Sequence, residues 1–171
     1  MNPAIENMLS RRSVRSFIDK EIPEEYLDQI LECGLYAANG RGWQSAMMVL
    51  IKDKDVIAEL SKMNDEVMGA PSDPFFGAPY VIMVLADPAN RTYIEDGSLV
   101  MGNMMNAAHS LGIGSCWIHR AKQMMESERG MELKKIWGVD PSYVGIGNLI
   151  LGYTESEPVA APRKEGRILK V

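Results

Sequence analysis

Cysteine and histidine are scarce in this 171-residue chain, with two of each, and the scarcity removes several kinds of chemistry. Cys33 and Cys116 cannot build a disulfide framework and lack the paired spacing of a zinc site, so they read as reduced thiols. Cys116 and His119 together supply at most two of the four ligands that a structural metal takes, and no metal site is expected. With only His109 and His119 a Ser-His-Asp triad has few options, and the Gly-x-Ser-x-Gly elbow, the Walker loop and His-Glu-x-x-His are all missing. The stretch Gly112 to Trp117 comes nearest to a dinucleotide fingerprint, but it puts tryptophan at the third glycine and precedes a strand. Positive charge is also short. Eighteen Lys+Arg against 23 Asp+Glu give a net charge of -5, which opposes a broad grip on nucleic acid or an anionic membrane. The longest apolar run, Tyr80 to Ala86, falls far below the roughly 18 residues of a membrane span, and the opening residues show no leader pattern. A soluble, cytoplasmic protein is expected, without nucleic-acid or membrane partners.

What is present suits one globular domain over residues 1–171. Hydrophobic residues make up 46% and charged residues 24%, enough apolar material for a core. Helical spacing of Tyr26, Leu27, Ile30, Leu31 and Leu35 predicts an amphipathic helix over 23–37. Short apolar runs predict buried strands at 46–51, 80–86, 113–118 and 143–152. Helices are expected at 56–64, 94–111 and 123–137, with an irregular, proline-rich loop at 69–79. The helix at 94–111 is apolar nearly all round, and in a chain this small a second copy is the easiest cover for its extra face. Residues 153–171 lose core character and read as an extended arm that needs a surface, here a partner subunit.

Basic residues gather at the two ends: Arg11, Arg12 and Arg15 near one, Arg163, Lys164 and Arg167 near the other. If the fold brings them together they make an anion site to which Ser13 adds a hydroxyl donor; otherwise they are two solvated segments. Ser10-Arg11-Arg12-Ser13-Val14-Arg15-Ser16-Phe17 resembles the opening signature of the nitroreductase family of FMN-dependent NAD(P)H oxidoreductases. The small-residue loop 37–44, the segment Pro74-Phe75-Phe76-Gly77-Ala78-Pro79 before a strand, Asp96 opening a long apolar helix, the stretch 111–118, and Leu151-Gly152-Tyr153 before a basic tail are similar in the same order.

That resemblance implies an α+β fold whose central sheet is mixed and mostly antiparallel, wrapped by helices and built as an intertwined homodimer, with FMN at the interface. It assigns the phosphate to Arg11, Arg12, Ser13, Arg163 and Lys164, and the pyrimidine edge to Arg15. Asn39, Gly40 and Gln44 of the other subunit would touch the ring and ribityl chain. Trp117, Ile118, His119 and Arg120 would line the opposite face, with a backbone N–H of His119 or Arg120 toward flavin N5, and Asn64 is a candidate for the ring's polar edge. The implied reaction moves two electrons from NAD(P)H through flavin N5 to a nitroaromatic, quinone or similar small acceptor, with no protein group as nucleophile or base. Alternatives on the same scaffold are a reductive dehalogenase, an enoyl-type reductase, and a non-catalytic flavin-binding domain. The family's Asn-x-Gln-Pro-Trp is replaced here by Gly42-Trp43-Gln44-Ser45-Ala46, which leaves the shape of the substrate pocket open.

Overall fold

A computed structural model describes residues 1–69 and 71–171. Four strands, β1 (Ala46–Ile51), β2 (Tyr80–Ala86), β3 (Gly114–Ile118) and β4 (Val144–Gly152), form one sheet in the order β1-β2-β4-β3. Every neighbouring pair runs antiparallel. The parallel element expected of a mixed sheet is confined, among the described residues, to an isolated bridge between Ser13 and Ser115.

Around the sheet lie α1 (Pro3–Ser10), α2 (Glu24–Leu35), α3 (Lys54–Met68), α4 (Tyr93–Ser110), α5 (Ala121–Glu126) and α6 (Glu128–Ile136). Of these, α1 was not expected, although its signals are present: Asn2 caps the helix by accepting from the Ala4 N–H, and proline occupies the first turn. The expected helix over 123–137 is two helices. Ser127 ends α5 and starts α6, its hydroxyl accepting from the Gly130 N–H and donating to the Met124 carbonyl. The segment 69–79 is irregular as expected; Ala70 within it lies outside the described residues. Asp73 organises the part from 71 onward by accepting from the N–H groups of Phe75 and Gly77, and Phe75 turns into the core.

Residues 81–86 of β2 are fully buried, which explains their unbroken apolar run: both sheet faces are covered. One face carries Leu60, Phe75, Met83, Cys116, Met124 and Ile150 under α3, α5 and α6. The other carries Leu27, Ile30, Met101, Met104 and Leu149 under α2 and α4. Each fully buried Leu, Ile or Met side chain stabilises the fold by about 1.5–3 kcal/mol relative to exposure. Between α2 and α4, Gly34 leaves room for methionine: a Cβ there would stand 2.6 Å from Met48 Sδ and 3.0 Å from Met104 Cγ. α4 buries Val100, Met101, Met104 and Ala108 yet leaves Ile94 and Leu99 exposed. Among the described residues no helix is long and apolar enough to cross a membrane. Beyond β4 the chain has no regular structure, and Val159, Ile168, Leu169 and Val171 are exposed.

Candidate active site

The chain leaves α1 at Arg11 and runs along the outer edge of β3. Val14 donates its N–H to the Ser115 carbonyl at 2.9 Å, and its side chain packs where a Cβ on Gly114 would stand, at 3.0 Å. Side chains alternate along extended backbone. Val14 is buried, Arg11 and Ser13 are half-buried beside it, and Arg15 is exposed. Two atoms there are conspicuous: Arg11 Nη1 and Ser115 Oγ are buried without a hydrogen-bond partner. Leaving such a group unpaired costs about 1–3 kcal/mol, and an anion seated beside Arg11 would recover it. Arg12 is engaged differently from Arg11. Its Nη1 donates to the carbonyls of Leu9 and Arg11, each at 2.7 Å, and so closes the end of α1.

Arg12 also lines a cavity of about 330 Å³ with Ser10, Val14, His109 and Thr154. His109 Nε2 lies 2.9 Å from Ser10 Oγ. Partial burial, then repulsion from Arg11 and Arg12, holds this imidazole below its usual pKa. The unfolded chain therefore takes up the proton more readily, so stability falls as pH drops from about 6.5 through the folded midpoint and levels off below it. In an NMR titration, Arg11→Ala is expected to move the His109 midpoint upward; an unmoved midpoint would show that the Arg11 charge does not reach the ring.

At the far end of β3 the pleat sends Trp117 and Ile118 to opposite cores. Trp117 packs over Gly147, with Nε1 2.5 Å from where a Cβ would stand, and Ile118 joins the cluster under α3 and α5. Ile118 is buried and does not reach an open face, whereas Trp117 stays half-buried at this end of β3. The surface here is made by exposed His119 and half-buried Arg120. Arg120 has a left-handed backbone, φ 75, and caps α5. Such a conformation is uncommon without glycine. Asn64 is fully buried, and its amide donates to the His119 carbonyl at 2.6 Å.

The loop after α2 turns through Gly40–Gly42, with positive φ at Arg41, Gly42 and Gln44. Asn39 Oδ1 accepts from the Gln44 N–H at 3.0 Å. Buried Asp96 anchors the loop, accepting from the Gly40 N–H at 2.9 Å and the Ser45 hydroxyl at 2.7 Å. A Cβ at Gly40 would collide with the Thr92 hydroxyl. Gln44 stays exposed, and Asn39 and Gly40 are half-buried. Asp96 entered the sequence reading only as a matching position, Asn148 not at all; a lone amide in the apolar run 144–152 was its one signal.

Within one chain the basic tail is not gathered to the Arg11 segment. Arg163 donates only to the Ala161 carbonyl, and residues 161–171 are exposed. Tyr153 at the start of the tail packs against the α2–α4 core, while Val159, Ile168, Leu169 and Val171 further along stay exposed. The root of the tail, Thr154 to Pro158, does flank the Arg12 and His109 cavity.

Comparison with known proteins bears on the family and the fold. The nitroreductase family model matches residues 8–153. A nitroreductase from Bacteroides fragilis, solved with bound FMN, is 25% identical and superposes with a TM-score of 0.92, covering all of both chains. An FMN-dependent nitroreductase from Clostridium difficile is 28% identical, with a TM-score of 0.77 over 92% of this chain and 91% of its own. A Bacillus subtilis FMN reductase (NAD(P)H) is 23% identical over 95% of this chain and 70% of its own length. The match spans every element that builds the site from Arg11 to Arg120, and the chain belongs to the nitroreductase family.

Proposed function

We propose that the protein is an FMN-dependent NAD(P)H oxidoreductase that passes two electrons to a small acceptor such as a nitroaromatic or quinone, working as an intertwined homodimer. The observation that carries this reading is Arg11 Nη1, a buried donor without a partner, in the same segment as Ser13 and Arg15. A phosphate dianion suits that donor set, because charge-assisted hydrogen bonds offset its lost hydration. Arg11 and Ser13 would hold the phosphate, joined by Arg163 and Lys164 from the exposed tail. Arg12 would add its charge from nearby, with its Nη1 already used at the end of α1. Arg15 would offset negative charge gathering on the ring's pyrimidine side. When bound, FMN supplies the two-electron hydride chemistry, and the protein supplies binding, orientation and electrostatics. The N–H of His119 or Arg120 would donate toward N5, and Asn39, Gly40 and Gln44 of the second subunit would close over the ring and ribityl chain.

Pairing of two chains is supported by surface that a lone chain leaves uncovered. Ile5, Met8 and Leu9 of α1, Leu35 and Tyr36 at the end of α2, and Leu99 of α4 are all exposed, more clustered apolar surface than scattered exposure explains. The purified protein is expected to be yellow and dimeric in ultracentrifugation, with flavin bands that bleach on anaerobic addition of NADH or NADPH and return with a nitroaromatic or quinone. A colourless preparation that takes up no added FMN would sink this reading; a bound flavin that neither nucleotide bleaches would leave a non-catalytic flavin domain. Return of colour only with halogenated or enoyl acceptors would name the other reductases.

A further inference from the structure

Two asparagines with no exposed surface meet beneath the His119–Arg120 turn, one from α3 and one from β4. Asn64 Nδ2 donates to the His119 carbonyl at 2.6 Å, and Asn148 Nδ2 approaches the Ile118 carbonyl at 3.4 Å. Both amides also touch Met124 Sδ, at 3.2 and 3.5 Å. Their Oδ1 atoms are buried and unpaired. Packing alone would be better served by leucine at both positions, since half-satisfied amides cost stability. What these side chains provide is a pair of donors aimed at two consecutive backbone carbonyls.

The identity of those carbonyls gives the pair its meaning. The Ile118 carbonyl belongs to the peptide that carries the His119 N–H, and the His119 carbonyl to the peptide that carries the Arg120 N–H. A hydrogen bond into a carbonyl polarises its peptide and strengthens the N–H at the other end. Neither N–H is used by the turns and side chains around it. The same bond from Asn64 grips the chain next to Arg120, whose left-handed backbone, φ 75, needs support from its surroundings. We infer that Asn64 and Asn148 are positioning residues that fix and polarise the His119 and Arg120 N–H groups as donors toward the flavin ring. This rests on the flavin reading above and makes the two asparagines supports for a ring contact that the His119 and Arg120 N–H groups themselves make.

NMR of the apo protein tests it, followed by FMN titration. Asn64→Leu is expected to shift the Arg120 amide proton upfield, and Asn148→Leu the His119 amide proton by less, in keeping with its longer bond. Met124→Leu removes the sulfur both amides touch but keeps both donors, and is expected to leave those signals in place. Asn64→Leu should bind FMN roughly three- to tenfold more weakly, the scale of one neutral hydrogen bond. Folded leucine variants whose His119 and Arg120 signals stay put overturn the inference, even where wild type binds FMN well. A wild type that takes up no FMN overturns the flavin reading and, through it, this one. Should neither leucine variant fold, scalar coupling across the Asn64 to His119 hydrogen bond is read in wild type, and its absence is equally fatal.

Discussion

Gly145→Ala is expected to lower the melting temperature by roughly 6–12 °C and to abolish flavin retention with it. Gly145 lies in β4 where the ladder to β2 slips register, pairing with Leu85 while Gly147 pairs with Val84. A Cβ there would run into the Ala121 carbonyl and stand 2.9 Å from the Lys122 nitrogen. Both are backbone atoms at the start of α5, so no side-chain rotation relieves the collision. The helix must move. Overpacking of this kind costs about 3 kcal/mol at the upper end of its usual range, and each kcal/mol shifts a domain of this size by about 2–4 °C. Because Arg120 caps α5, the displaced helix carries the His119–Arg120 turn with it. Calorimetry and flavin absorbance on the same sample check the two effects together. A variant that melts like wild type and stays yellow would show that α5 yields without consequence.

Arg11→Ala should weaken FMN by about 1.5–3 kcal/mol, the range of a hydrogen bond to a charged group, or roughly 10- to 150-fold in Kd. On the apo protein its effect should be neutral to stabilising, because Arg11 Nη1 has no partner to lose and its removal relieves a buried unpaired donor. That separation distinguishes a ligand-facing cation from a structural one. Arg12→Ala is expected to show the reverse emphasis, since its guanidinium already holds the carbonyls of Leu9 and Arg11. Isothermal titration and thermal melts of both variants settle the division of labour; equal affinity of Arg11→Ala and wild type would remove Arg11 from the phosphate site.

The inner strands were legible in sequence because burial on both faces leaves a short unbroken apolar run, as from Tyr80 to Ala86, whereas β1, expected buried, sits at the sheet edge and is half-buried over most of its length. The break at Ser127 left one local signal, a serine that caps α6, but the close crossing at Gly130 is a tertiary fact: a Cβ on Gly130 would collide with the Met124 carbonyl, a contact visible only once α5 and α6 are placed. At the site, order and spacing located the segments, while periodicity could not say which way each side chain turned. Asn64 reads as an ordinary helical position until α3 is seen to lie under the β3 end. Trp117 and Ile118 are separated by one step of the pleat, and only the placed sheet shows Ile118 buried and Trp117 half-buried. The tail cations are legible as charge and as an arm, but one chain offers no surface that orders them.

The two sides of the sheet differ in how much sequence change they can absorb. On the side of α2 and α4, an added methyl at Gly34 meets the far ends of Met48 and Met104, unbranched thioethers that can swing aside. On the side of α5, an added methyl meets peptide groups. Over generations the first seam can drift, trading small and large residues across it, whereas the second must keep its present spacing. Divergence among descendants of this chain should therefore collect in the α2–α4 layer, with the ground beneath His119 and Arg120 left still.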